Sequence, residues 1–209
     1  MRQFKASVRK FCGDESGILL AEALITLPLL IWGFVALFVY WDVYKTINVT
    51  QKAAYSISDL LSRQVVVTDE FVEGLSEVLT FLTPGTNGSR MRITSIEFDE
   101  GSNNQPLVWD GDDHYHLLFS CSSDEVAAPP HTNVTIQALE PQIPRLKNLR
   151  GAIIVETWTD YVPDFDIGLL NAAPGLSNQT FENFVVTSPR DRRVCLEGGA
   201  TECSVTSCN

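Results

Sequence analysis

The chain has 209 residues, 20% of them charged, and a formal net charge of −11. That size fits one compact domain with an appendage. An acidic chain lacks the basic stripe that a phosphate backbone requires, which excludes nucleic acid as a partner.

The charge is uneven along the chain. Residues 1–17 hold Arg2, Lys5, Arg9 and Lys10 against Asp14 and Glu15, a net of +2, so residues 18–209 carry −13. Behind this basic leader, Ile18 to Tyr40 is an apolar run whose one charge is Glu22. As a helix it is about 35 Å long, enough for a hydrocarbon core of about 30 Å. The run exceeds the apolar core of a cleaved secretory signal and lacks a small-x-small site at its end. It predicts a transmembrane helix over 18–41. The basic leader predicts a cytoplasmic N-terminus, which places residues 42–209 outside the cytoplasm. Tyr40, Trp41 and Tyr44 stand where an interfacial aromatic belt belongs. Pro28 removes the helical partner of the Leu24 carbonyl and predicts a kink.

Glu22 is the anomaly. An acidic residue at mid-helix costs about 2.5–3.5 kcal/mol on insertion scales, and less this close to the border. Ile18 and Glu22 are i and i+4, one turn apart on one face. A cut between Gly17 and Ile18 would create an α-amine one turn from that carboxylate, able to neutralise it in the same chain or a neighbouring one.

Beyond the span, Tyr40, Val43, Ile47, Ala54, Ile57 and Leu61 recur at three- and four-residue steps, interrupted at Thr50, and predict that the helix continues as an amphipathic one. The β-branched Val65–Val67 should end it. A second helix is expected from Asp69 to about Leu82, capped by Thr68, with Asp69 and Glu70 at its positive end. Its predicted buried face is Phe71, Leu75, Val78, Leu79 and Leu82, and Pro84-Gly85 closes it.

Strand signals follow. "RMRITSIEF" alternates, with Met91, Ile93, Ser95 and Glu97 on one face. "PLVWD" and "HYHLLFSC" flank the turn-rich "DGDD" and read as a hairpin. "NVTIQAL", "GAIIVETWTDYV" and "TFENFVVTS" read as further strands, and residues 164–179 as an irregular loop. The fold class is α+β: a long N-terminal helix, transmembrane then amphipathic, a second short helix, and an antiparallel sheet of about four to six strands.

Five cysteines complete the inventory. Cys12 falls in the leader. Cys121, Cys195, Cys203 and Cys208 fall outside the cytoplasm, where disulfides persist. In each of the three connectivities Cys121 pairs with a tail cysteine and the other two tail cysteines pair together. Their spacing fits no zinc motif. His114 and His116, with Asp110, Asp112 and Asp113 nearby, read as a solvated hairpin tip, so no metal and no cofactor is expected. No catalytic motif is present, which points away from an enzyme.

The leader ending in Gly17, Glu22 as the fifth residue after the cut, and the apolar helix that follows resemble a type IV prepilin. More narrowly, "DESGILLAEALITLPLL" resembles the start of TadE-like minor pseudopilins of the tight-adherence, Flp-type pilus. Asp14, Glu15, Gly17, Glu22, Leu27, Pro28, Leu29 and Leu30 match that pattern in order, over about residues 9–40. Ala23 departs from it, since the residue after the glutamate is often aromatic in the family. The resemblance implies a processing site at Gly17, Ile18 and Glu22, and a bacterial inner-membrane protein with a periplasmic C-terminal domain. Its implied partners are a prepilin peptidase, inner-membrane lipid, other pilins or pseudopilins, and the pilus assembly platform. The competing class is a single-span type II surface protein with a binding ectodomain and no peptidase processing, suggested by sequons at Asn48, Asn87, Asn133 and Asn178. A membrane-tethered hydrolase, the third class, rests only on the His/Asp cluster.

Overall fold

A computed structural model describes residues 16–86, 88–99, 114–163, 178–197 and 206–208. The chain divides into two compact units, residues 1–43 with 163–176 and residues 44–162 with 177–209.

Helix α1 runs from Ser16 to Ser62, 47 residues, continuous through Pro28. From Ala21 its first half is long and apolar enough to cross a membrane. Its leucines and phenylalanines are largely uncovered: Leu24 is 67% and Phe34 67% exposed. The second half behaves differently. Val43, Thr50, Ala54, Ile57 and Leu61 are buried, the amphipathic stripe that the sequence predicts. Thr50 belongs to that stripe instead of interrupting it. Its hydroxyl donates to the Ile47 carbonyl at 3.0 Å, so its polar group is satisfied within the helix. Tyr40 remains 42% exposed.

The helix ends at Ser62, before the β-branched run, and Val66–Val67 forms a short strand, β1. Helix α2 spans Asp69–Leu82. The Thr68 hydroxyl accepts from the Phe71 N–H at 3.1 Å, and Asp69 and Glu70 occupy the positive first turn. The buried face is Val72, Leu75 and Leu79. Relative to the expected stripe it is turned toward Val72, which leaves Val78 37% exposed and Phe71 and Leu82 at the margin of the core. A helix lying on a sheet buries a narrow stripe, and Val78 falls outside it. Past Thr83 the chain turns through Pro84-Gly85, where Gly85 takes φ 81°, a left-handed conformation that suits glycine.

The sheet is built on β2 (Ser89–Asp99), which pairs antiparallel with both β3 (His114–Ser122) and β4 (Gly151–Tyr161). β5 (Gln179–Thr187) pairs antiparallel with β4. Among the described residues the order is β5-β4-β2-β3-β7, with β7 (Thr206–Ser207) parallel to β3. The tail strand β6 (Cys195–Leu196) lies parallel to β1. The candidate strand "PLVWD" and residues 164–177 of the expected loop 164–179 lie outside the described residues, and the loop ends earlier than expected, because Gln179 already pairs in β5.

Both faces of the sheet are covered. Met91, Ile93, Ile153, Val155, Phe119 and Cys121 join Ile57, Leu61, Leu75 and Leu79 in one core. Ile96, Phe98, Tyr115, Leu117, Ala152 and Ile154 form a second core with Ile136 and Ile143. A register shift in the β2–β3 ladder, where Ser95 faces Phe119 but Ile96 faces Leu117, turns Leu118 and Phe119 into the same core, as a bulge does.

The stretch "NVTIQAL" corrects the sequence reading. It is helix α3, Asn133–Ala138, not a strand. Thr132 and Thr135 cap it reciprocally: the Thr135 N–H donates to Thr132 Oγ1 at 3.3 Å and the Thr132 N–H to Thr135 Oγ1 at 2.8 Å. Ile136, Leu139 and Ile143 reach the second core at helical steps, while Val134 is 81% exposed. Asn133 Oδ1 accepts from the Leu117 N–H, and Gln137 Nε2 donates to the Tyr115 carbonyl. These side chains complete part of the β3 edge that a strand would otherwise have paired.

Candidate functional site

Gly17 and Ile18 lie in the first turn of α1, which begins at Ser16. Glu22 follows one turn after Ile18 and is exposed. Its backbone carbonyl accepts from Thr26 Oγ1 at 2.9 Å. Ile18 and Glu22 are thus one turn apart in the backbone of α1, near its start. Residues 1–15, the basic leader with Cys12, lie outside the described residues.

A second polar constellation escapes the sequence reading. Arg92 on β2 and Glu156 on β4 are register partners, with side chains only 12% and 9% exposed. Arg92 donates from Nε to Glu156 Oε2 at 2.6 Å and from Nη2 to Oε1 at 2.7 Å, while Nη1 donates to the Pro129 carbonyl at 2.7 Å. The guanidinium carbon lies 5.2 Å from the Trp158 ring centroid. His131 Nε2 stands 3.0 Å from Glu156 Oε2, and its Nδ1 3.0 Å from Thr135 Oγ1. Burial raises the Glu156 carboxyl, but hydrogen bonds from His131 and Arg92 and the charges of both outweigh it. The carboxyl sits below its ordinary value. Three hydrogen bonds engage the two carboxylate oxygens, two from Arg92 and one with His131. The arrangement clamps segment 129–135 onto the sheet. In the sequence Arg92 and Glu156 stand among other strand charges, Arg90, Glu97, Asp99 and Asp160, and their pairing is legible only once register is known.

Of the histidines of the proposed hairpin tip, the side chain of His116 is described and lies beside a carboxylate of β2. His116 is 57% exposed and its Nε2 is 4.0 Å from Asp99. His114 begins β3, and Asp110, Asp112 and Asp113 lie outside the described residues. Among the described residues no group of three or more His, Cys, Asp or Glu side chains is placed to hold a metal. An acidic cleft of about 410 Å³ is lined by Asp69, Glu70, Glu73, Ser76, Ser122, Ser123 and Cys208.

Cys121 is bonded to Cys208 across a separation of 87 residues, with Cα atoms 5.1 Å apart. This ties the tail to β3, one of the three expected pairings. Cys195 is also disulfide-bonded, and Cys203 lies outside the described residues. Of the sequons, Asn48 and Asn178 are exposed, Asn133 is engaged with Leu117, and Asn87 is outside the described residues.

No protein-family model, no curated protein and no solved structure matches this chain.

Proposed function

We propose that the chain is a membrane-anchored minor pseudopilin that takes part in assembling a tight-adherence type pilus by helix packing and subunit docking. The observation that carries this reading is the placement of Gly17, Ile18 and Glu22 in the first two turns of a long apolar helix whose described leucine, isoleucine, tryptophan and phenylalanine side chains from Leu24 to Phe38 are exposed. An exposed helix of that kind needs lipid or other helices around it. A carboxylate at its head is unfavourable in lipid unless a partner neutralises it. In this reading a prepilin peptidase cuts after Gly17 on the cytoplasmic side. The new amine of Ile18 then meets a Glu22 carboxylate in the same or a neighbouring subunit. The anchor lies in the inner membrane with the domain in the periplasm, a compartment that sustains the Cys121–Cys208 bond. The role is structural, not enzymatic.

The test is N-terminal sequencing of membrane-extracted protein together with a count of surface pili. Gly17→Phe is expected to retain the leader, because a bulky side chain obstructs the peptidase at the cut. Glu22→Ala is expected to enter the membrane at least as well as the natural chain and to lose pili. A mature N-terminus at residue 1 with normal piliation in the Glu22→Ala strain refutes the reading.

A further inference from the structure

The two helices of the domain carry uncovered faces of opposite charge. On α1, Tyr44, Lys45, Asn48 and Lys52 are exposed, Tyr44 at 66%. On α2, Glu70, Glu77 and Val78 are exposed, and a side chain added at Gly74 would meet nothing within 4 Å. α2 contains no lysine or arginine. Among the described residues Lys45, Lys52, Glu70 and Glu77 take part in no ion pair. The four charges are thus open to solvent, while Asn48 Nδ2 donates to the Tyr44 carbonyl of its own helix at 2.7 Å.

The faces also share a spacing. Lys45 and Lys52 are seven residues apart, as are Glu70 and Glu77, about 10 Å along a helix. Laid antiparallel, Tyr44 meets Val78, Lys45 meets Glu77, Asn48 meets Gly74 and Lys52 meets Glu70. In each pair the residue numbers add to one total, the condition for facing positions on antiparallel helices. Gly74 is the gap into which Asn48 fits, and Tyr44 against Val78 supplies the apolar contact. Lys52 meets more than one charge, because Glu70 shares its cleft with Asp69 and Glu73.

We propose that α1 of one copy docks on α2 of a second copy of this chain through this register. The connection between the two helices is residues 63–68, and a connection that short ordinarily joins helices running in opposite directions. Two copies held in the same sense therefore present α1 and α2 to each other antiparallel, as the register requires. The contact joins different patches, so it is heterologous and repeats from copy to copy instead of closing as a two-fold pair. This rests on the membrane anchorage of the proposed function and on nothing else in it.

The test uses the full-length chain, labelled with donor and acceptor dyes and mixed in phosphatidylcholine vesicles, with energy transfer followed as lipid dilutes the protein. Lys45→Glu with Lys52→Glu is expected to weaken association by about tenfold or more, since two exposed attractions become repulsions. Glu70→Lys with Glu77→Lys is expected to do the same. An equal mixture of the two variants is expected to regain association, because each reversed face then meets a reversed partner. That recovery separates docking from misfolding. Salt is expected to weaken the wild-type contact. Association of either variant at the wild-type level, or a mixture that does not recover, overturns the proposal. So does an effect of the lysine variants confined to vesicles containing anionic lipid, which would assign Lys45 and Lys52 to headgroups. Fractionation of the same samples separates the two readings: wild-type chain recovered in the soluble fraction overturns the anchorage and this contact together, whereas chain in membranes without charge-dependent association overturns this contact alone.

Discussion

Arg92→Ala is expected to be among the most damaging single polar changes in the domain. The side chain is 12% exposed and its partner Glu156 9%. Removing it strips two hydrogen bonds from the carboxylate, the donor from the Pro129 carbonyl and the cation from the Trp158 face. Glu156 is left buried with His131 alone. Breaking a buried pair from one side costs about 3–5 kcal/mol, because the surviving charge has been desolvated without compensation. For a chain of this size each kcal/mol moves the melting temperature by about 2–4 °C, so a fall of roughly 10 °C is expected. The assay is thermal unfolding of the full-length chain in mild detergent, followed by near-ultraviolet circular dichroism. The internal control is Arg63→Ala, which breaks an exposed i,i+4 pair with Asp59 whose side chains are 51% and 55% exposed. Such a pair contributes at most about 0.5 kcal/mol. A second comparison removes both charges, Arg92→Met with Glu156→Leu. It is expected to recover much of the loss, since no uncompensated ion remains. An Arg92→Ala variant no less stable than Arg63→Ala would falsify the clamp.

The same clamp fixes a pH dependence. Glu156 has a folded-state value below its unfolded one, because the hydrogen bonds and charges of His131 and Arg92 outweigh the opposing effect of burial. In the acid range the unfolded chain therefore binds more protons at this position, and stability rises with pH there. The contribution is complete above the unfolded carboxylate value and disappears as pH falls through the lowered folded value. The stability difference between the natural chain and Glu156→Gln is accordingly expected to narrow on acidification. A difference that stays constant or widens below pH 4 contradicts the assignment.

Two further expectations concern the frame around the clamp. At Gly151 an added Cβ would meet the Arg192 carbonyl oxygen at 3.0 Å, Arg193 Cα at 3.1 Å and the Ile96 carbonyl oxygen at 3.1 Å, all backbone atoms; Gly151→Ala should cost about 1–3 kcal/mol, read as a lower melting temperature, and an unchanged value would mean the tail moves aside freely. Cys121→Ser with Cys208→Ser opens a loop closed across 87 residues and should cost about 4–5 kcal/mol by the chain-entropy account, again in thermal unfolding, with a loss under about 1 kcal/mol counting against it.

What could be read before the structure was what is local. The end of α1 before Val65, the Thr68 cap and the alternation of "RMRITSIEF" each depend on residues a few positions apart. The spacing of Gly17, Ile18 and Glu22 is of the same kind. "NVTIQAL" misleads because Val134 and Ile136 also satisfy an alternating pattern over a short run. The deciding signals were its neighbours: Thr132 and Thr135 as a reciprocal cap, and Leu139 and Ile143 continuing the helical steps from Ile136. A seven-residue window cannot distinguish the two periods when only one side chain is deeply buried, and here that is Ile136.

The Arg92–Glu156 pair lies 64 positions apart and depends on which strands are neighbours. β2 runs between β3 and β4, so the partner of Arg92 could have come from either side. From sequence alone Arg92 and Glu156 look like solvated charges on a half-exposed sheet, because an antiparallel strand with alternating polarity ordinarily leaves one face to water. That premise fails once α3 and the segment from Pro129 to Leu146 cover the second face. Residues that would have been surface then become interior, and a charge can persist there only in company. Arg92, Glu156 and His131 are therefore the consequence of the same event that makes Ile96, Phe98 and Ile154 a core. Covering the second face demands a polar closure at its margin, and these three side chains provide it.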